Sequence, residues 1–211
     1  MRLWFRVLGW LVFLIAVPAL VLYAFFFDIW VVAKDDPLLS ASIEPTLSAG
    51  DVVVVTRHTT VSYGELERCD DPEVPGRFVV GRAMAHSGDS LDVNDEMVLI
   101  DGKRNPSPRA CEHPTMVLRD PQTDDDVVLA CSVEEFGAGT YLALRAREHP
   151  EPPTKAKAES GRWFLVSDDR HFHLDSRDYG QIVPSTCQHI VFRLAGAAGL
   201  GDSEKRLTVI W

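Results

Sequence analysis

The chain has 211 residues, a formal net charge of −10, four cysteines and 46% apolar residues. That length supports one domain with a real core. The acidic balance excludes a nucleic-acid partner, whose phosphates need a basic surface. No internal repeat and no heptad pattern occurs.

Val7 to Phe27 carries no charged side chain, and about 20 such residues span a bilayer core as a helix. Arg2 and Arg6 precede the run, while Asp28, Asp35 and Asp36 follow it with Lys34 as the only cation among them. The positive-inside bias therefore predicts a cytoplasmic N-terminus at 1–6, a single-pass anchor at 7–30 and an extracytoplasmic domain at 31–211. Trp4, Trp10, Tyr23 and Trp30 sit towards the ends, as interfacial aromatics do, and Pro18 is tolerated in a membrane span. The run exceeds a typical signal-peptide core, and no small-x-small cleavage site follows it, so an uncleaved anchor is expected. Cys69, Cys111, Cys131 and Cys187 then lie in an oxidising compartment. Three pairings are open, with Cys111–Cys131 the first expected.

Beyond the anchor, Val31 to Leu39 reads as a tether. A Ser-rich stretch follows, then a strand from Asp51 to Arg57. Further strands are expected at Tyr63–Arg68, Arg77–Met84, Ser90–Val93 and Glu96–Ile100, separated by Asp-Asp-Pro, Pro-Gly and Gly-Asp turns. Asn105 to Pro114 is Pro-rich and read as irregular. Thr115–Arg119 and Val127–Cys131 form an inserted hairpin within 105–160, closed by the acidic run Asp120–Asp126, which lacks Ca²⁺-loop spacing. Thr140–Arg145 is a strand and Glu148–Ser160 an exposed loop; Trp163–Val166, Ile190–Leu194 and Leu207–Trp211 complete the list. Many short strands and no long amphipathic helix past the anchor predict an all-β domain of many short strands with one N-terminal transmembrane helix.

Two stretches carry chemistry. In Ser40-Ala41-Ser42-Ile43-Glu44-Pro45-Thr46-Leu47 with Gly50-Asp51, Pro45 fixes one φ and Gly50 suits a turn. On an extended strand Ser40 and Ser42 point to one side, so one hydroxyl attacks a carbonyl while the other donates to its oxygen. The second stretch, Ser167 to Gly180, packs four aspartates, two arginines and two histidines behind a buried-type strand. By composition alone it is a metal loop or an Asp–Arg network fixing a turn.

The first stretch resembles the Ser-x-Ser-Met-x-Pro-Thr-Leu…Gly-Asp box of type I signal peptidases (leader peptidases). Asp168-Asp169-Arg170, then Asp175-Ser176-Arg177 and Gly180, resembles their Gly-Asp-Asn-Arg…Asp-Ser-Arg…Gly box. Val79 to Asp89 resembles their Lys-Arg…Pro-Gly-Asp box. The resemblance implies a β-rich fold that cleaves signal peptides from exported proteins at the surface of the inner (cytoplasmic) membrane, with membrane lipid as a second partner and no cofactor or metal. It places the nucleophile on Ser42 and an oxyanion hole at the Ser42 N–H and the Ser40 hydroxyl. It makes Asp175 and Arg177 a buried ion pair, with Asp168 and Arg170 supporting the site.

Two departures matter. Gly81 stands where these enzymes carry a general-base lysine, and the next residue, Arg82, stays protonated. His173 stands where the family has a serine that contacts that lysine. The two changes read as one: the His173 ring fills the space in front of Gly81 and activates Ser42, oriented by Asp175 or Asp168. His86 and His171 are weaker bases, Lys103 is a further approach through space, and His58, His113, His149 and His189 read as surface or satisfied histidines. The alternative is a catalytically inactive peptide- or partner-binding protein on the same scaffold. A metal-dependent hydrolase using His171, His173 and the aspartates ranks last, since no recognised ligand spacing occurs.

Overall fold

A computed structural model describes residues 2–56, 62–94, 97–104, 109–137, 139–146 and 153–210, with backbone only at 2–9, 11, 19, 22 and 104. The chain starts with helix α1 (Arg2–Phe26), which contains Pro18. Among the described residues no helix is long and apolar enough to cross a membrane. The apolar run does not stay helical to Trp30. It turns into β1 (Phe27–Val31), which pairs antiparallel with β2 (Val52–Thr56), Phe27 opposite Thr56.

Between these strands lies α2 (Pro37–Ser42), where extended chain was expected. Its start is written in the sequence: the Asp36 carboxylate accepts from Leu39 N at 3.0 Å, and Pro37 occupies the first turn. A helix begins wherever its first free N–H groups meet such a cap, and here the cap outweighs the Ser-rich composition.

The chain continues through β3 (Leu66–Asp70), β4 (Phe78–Ala85), β5 (Ser90–Val93), β6 (Val98–Ile100), β7 (Lys103–Arg104) and β8 (Arg109–Arg119). Then come β9 (Asp126–Phe136), β10 (Gly139–Ala146), β11 (Thr154–Lys157), β12 (Phe164–Val166), α3 (Ser176–Tyr179), β13 (Cys187–Ala195) and β14 (Thr208–Val209). The main sheet runs β1-β2-β13-β3-β4-β12, with β14 on β13; β10-β9-β8 and β11-β5-β6-β7 form two smaller sheets. The domain is thus mostly antiparallel β structure. Its first core cluster joins Leu39, Ile43 and Leu47 of the Ser-rich stretch to Val53, Val55, Val79 and Leu165. Fully burying each Leu, Ile or Val contributes roughly 1.5–3 kcal/mol, so this stretch is seated on the sheet as part of its core.

Three other segments differ from expectation. Residues 109–114 are not irregular but open β8, which slips register between Ala110 and Thr115 around Pro114. The expected exposed loop contains β11, where Lys155 and Lys157 face out while Thr154 and Ala156 are half-buried against β5. The last strand is only Thr208–Val209. Arg57, His58, Glu96, residues 105–108 and 148–152, His149 and Trp211 lie outside the described residues. The hairpin pairing of Thr115–Arg119 with Val127–Cys131 is present, Val117 opposite Val128. The Cys111–Cys131 disulfide is formed, and Cys69–Cys187 is the second.

Candidate functional site

Three stretches distant in sequence meet around α2. The Ser42 carbonyl accepts from the Asp169 N–H at 3.0 Å, tying the end of α2 to the loop after β12. Thr46, four residues on, donates its hydroxyl to Asp168 Oδ2 at 2.5 Å. Arg82 on β4 grips the same carboxylate, Nε to Oδ1 at 2.8 Å and Nη2 to Oδ2 at 3.2 Å. Its Nη1 donates to the Gly64 carbonyl at 2.9 Å, and its guanidinium lies 4.2 Å from the Tyr141 ring centroid. Arg82 and Asp168 are both fully buried. Such a pair is tolerable only when its remaining donors find partners, and this one spends them on fixing three segments.

Behind this sits a second network. Asp175 caps α3: it accepts from Arg177 N at 2.9 Å and from Ser167 N at 2.8 Å, and Arg177 Nη2 reaches it at 2.8 Å. Burial pushes the Asp175 carboxyl up, but the Arg177 guanidinium and these N–H donors outweigh it and hold the group below the usual carboxylate range. Arg170, also buried, bonds Glu134 Oε2 at 3.0 Å and the Ser167 carbonyl. The loop is pinned from both ends.

The hydroxyls of the first stretch are not aligned as expected. In a helix, positions two apart point roughly 200° from each other. Ser40 Oγ donates to the carbonyls of Asp36 at 2.9 Å and Ala33 at 3.1 Å. Ser42 is fully buried, and its Oγ donates to the Leu39 carbonyl at 2.8 Å. Ser40 and Ala41 border a cleft of about 500 Å³ with Lys34, Glu44 and the β8–β9 turn at Asp120 and Gln122. Burial raises the Glu44 carboxyl despite a hydrogen bond with Ser48 and the nearby Lys205. Gly50 takes the expected positive φ, 85°, and its N–H donates to the Val32 carbonyl at 3.0 Å.

The space in front of Gly81, where the His173 imidazole was expected, is taken by other atoms. A side chain at Gly81 would meet Leu165 Cβ at 3.1 Å and the Val166 carbonyl oxygen at 3.3 Å, so Leu165 takes that space. His173 Nδ1 lies 2.8 Å from Asp178 Oδ2 at the start of α3. Asp178 is the carboxylate paired with the ring, while Asp168 accepts from Arg82 and Asp175 from Arg177. Of the weaker bases, His86 is stacked between Tyr63 (3.9 Å) and Trp163 (5.0 Å), and His171 leans on Phe172 at 4.5 Å. His113 and Lys103 are exposed.

Sequence reasoning missed Asp169 as a charged group. It is fully buried; Oδ1 accepts from His171 N at 2.8 Å and Phe172 N at 3.0 Å, while Oδ2 has no hydrogen-bond partner among the described residues. Burial pushes its carboxyl up to about 6 against those N–H donors and Arg170. The signal was present: the resembled box carries Asn there, and an acid in place of an amide in a buried turn is a change of chemistry.

A comparison with individual curated proteins finds no match. A family model described as "Signal peptidase, peptidase S26" matches residues 7–189. That span includes the Ser-rich stretch, the β4 segment and the Asp–Arg loop that converge here, and the chain belongs to the signal peptidase family, peptidase S26.

Proposed function

We propose that the protein is a membrane-anchored serine endopeptidase that removes signal peptides from exported polypeptides, with Ser42 as nucleophile. The observation that carries this reading is the junction at Ser42. The chain that follows that hydroxyl is fixed by Asp169 N and by the Thr46–Asp168–Arg82 bonds. A nucleophile needs such a frame. The cleft beside Ser40 and Ala41 offers room for an extended peptide. Ser40 would supply an oxyanion donor, and His173, already paired to Asp178, is the proposed base, acting once a bound substrate brings it within reach of Ser42. Membrane attachment rests on the sequence: Val7 to Phe27 is uncharged and flanked by arginines before and acids after.

A second reading, a peptide-binding protein without turnover, is favoured by one observation. The Ser42 hydroxyl is buried and donates to a backbone carbonyl rather than to a base. Full-length protein in detergent is to be incubated with a serine-acylating probe and with a peptide spanning a signal-peptide junction. Peptidase function predicts labelling and cleavage in wild type, none in Ser42→Ala, and at least a tenfold loss in His173→Ala, in line with the usual worth of a general base. A folded wild type that neither labels nor cleaves leaves the binding reading. Full activity in His173→Ala removes the imidazole from the mechanism.

A further inference from the structure

Away from the motif junction, one buried charge lacks hydrogen bonds. Glu67 on β3 is fully buried, and neither carboxylate oxygen accepts a hydrogen bond among the described residues. His189 on β13 faces it. The imidazole Nδ1 lies 3.3 Å from Glu67 Oε1 and also 3.3 Å from the Leu66 carbonyl oxygen. Oε2 accepts no hydrogen bond among the described residues. A buried carboxylate so placed is costly unless a cation or a proton accompanies it.

Strand register explains the meeting. β3 and β13 pair antiparallel, with Cys187 opposite Cys69, Gln188 opposite Arg68 and His189 opposite Glu67. Positions two apart share a face, so the Cys69–Cys187 disulfide and the Glu67–His189 pair are neighbouring rungs on one side of the sheet. Glu65 lies a further two residues back. One ligand atom from each of Glu65, Glu67 and His189 lies within 4.8 Å of the other two. A cavity of about 300 Å³ bordered by Tyr63, Glu65, His189, Val209 and Ile210 gives solvent a way in.

We propose that Glu65, Glu67 and His189 form a binding site for one divalent first-row metal ion, zinc above all, which fastens β3 to β13 beside the disulfide. Two carboxylate oxygens and one imidazole nitrogen suit a borderline ion, with water from the cavity completing four-fold coordination. Zinc holds such ligands at roughly 2.0–2.2 Å, so in a tetrahedral site any two lie about 3.3–3.6 Å apart. The His189 Nδ1–Glu67 Oε1 pair, at 3.3 Å, already fits, and a separation of up to 4.8 Å closes by up to about 1.5 Å through side-chain rotation. The His173, Asp175 and Asp178 group is equally compact. Its central carboxylate, however, already accepts from Ser167 N and from Arg177 through both oxygens, and it has no such orphaned atom.

The test is zinc binding by the full-length, chelator-stripped protein in detergent, independent of any peptidase assay. Metal content after gel filtration and the shift of thermal unfolding are read during a zinc titration, with manganese in parallel. Wild type is expected to take up one zinc per chain and to unfold at higher temperature with it. Glu67→Gln and His189→Ala are each expected to weaken binding by at least about tenfold, while Asp178→Asn leaves it unchanged. His189 borders the cavity, so His189→Ala carries the test should Glu67→Gln not fold. No stoichiometric zinc on wild type, or equal uptake by both variants, overturns the proposal and leaves Glu67 and His189 as an ion pair only.

Discussion

The Arg82–Asp168 pair is the bond on which the junction at Ser42 depends most. Asp168→Ala leaves the Arg82 guanidinium fully buried, with its Nε contact at 2.8 Å and its Nη2 contact at 3.2 Å gone, and frees the Thr46 hydroxyl as well. Removing one partner of a buried pair costs about 3–5 kcal/mol. Every 1.4 kcal/mol is tenfold, so the folded-to-unfolded ratio falls by roughly two to three and a half decades. Arg82→Met is expected to cost a similar amount. Removing both charges by Arg82→Met with Asp168→Leu restores most of the loss, because no orphaned charge remains. Urea unfolding followed by tryptophan fluorescence on all four proteins closes the cycle, with a coupling of at least about 2 kcal/mol expected. Single-variant costs below about 1 kcal/mol, or additive costs in the double variant, would refute a buried, hydrogen-bonded pair.

Three more outcomes follow from the same geometry. Cys69–Cys187 closes 118 residues and Cys111–Cys131 closes 20. On chain-entropy grounds, replacing the first pair by serines costs about 5 kcal/mol and the second about 3, and equal losses in denaturant melts would contradict this. Asp169 has a folded pKa of about 6, above its ordinary 3.8, so the folded state holds the extra proton. Its stabilising contribution is complete below about pH 4 and is lost as pH rises through about 6. Asp169→Asn is expected to abolish that slope and to gain up to about 3 kcal/mol at pH 7, and an unchanged stability–pH curve would count against it. Asp36→Ala removes the cap of α2 at a cost of about 1 kcal/mol to the helix. If Ser42 must leave the helix to react, acylation rises up to about fivefold; a fall in rate argues that the helix is the reactive form.

Legibility in the sequence tracked the range of the forces involved. The strands at Val52–Thr56 and Phe78–Ala85 were readable because alternation and β-branched runs are local signals. The Cys111–Cys131 pair was readable because the two residues flank a hairpin. Strand β11 was not, since Pro-rich, Lys-bearing chain reads as loop until β5 offers it an edge. The motif residues Ser42, Asp168 and Arg177 could be named from the resemblance of their boxes to those of signal peptidases. The partner of His173 could not. Asp178 pairs with the ring while Arg177, two residues from Asp175, holds the Asp175 carboxylate, and pairings of this kind are decided in space.

The helix at Pro37–Ser42 bears directly on the chemistry proposed for Ser42. Six residues do not sustain a helix alone; isolated helices need about twice that length. What holds this one is an Asp cap at its start and the packing of Leu39 and Ile43 at its end. The Ser42 hydroxyl contributes one bond to the Leu39 carbonyl, worth about 1 kcal/mol net. Opening the last turn therefore breaks little, while the Asp169 N–H keeps its grip on the Ser42 carbonyl and the segment stays in place. An extended Ser40–Ser42 would then present both hydroxyls to one side, facing the cleft that Ser40 already borders. On this argument the short helix is a resting form in which Ser42, the proposed nucleophile, is capped by its own backbone, and the proposed peptide substrate draws it out along the cleft.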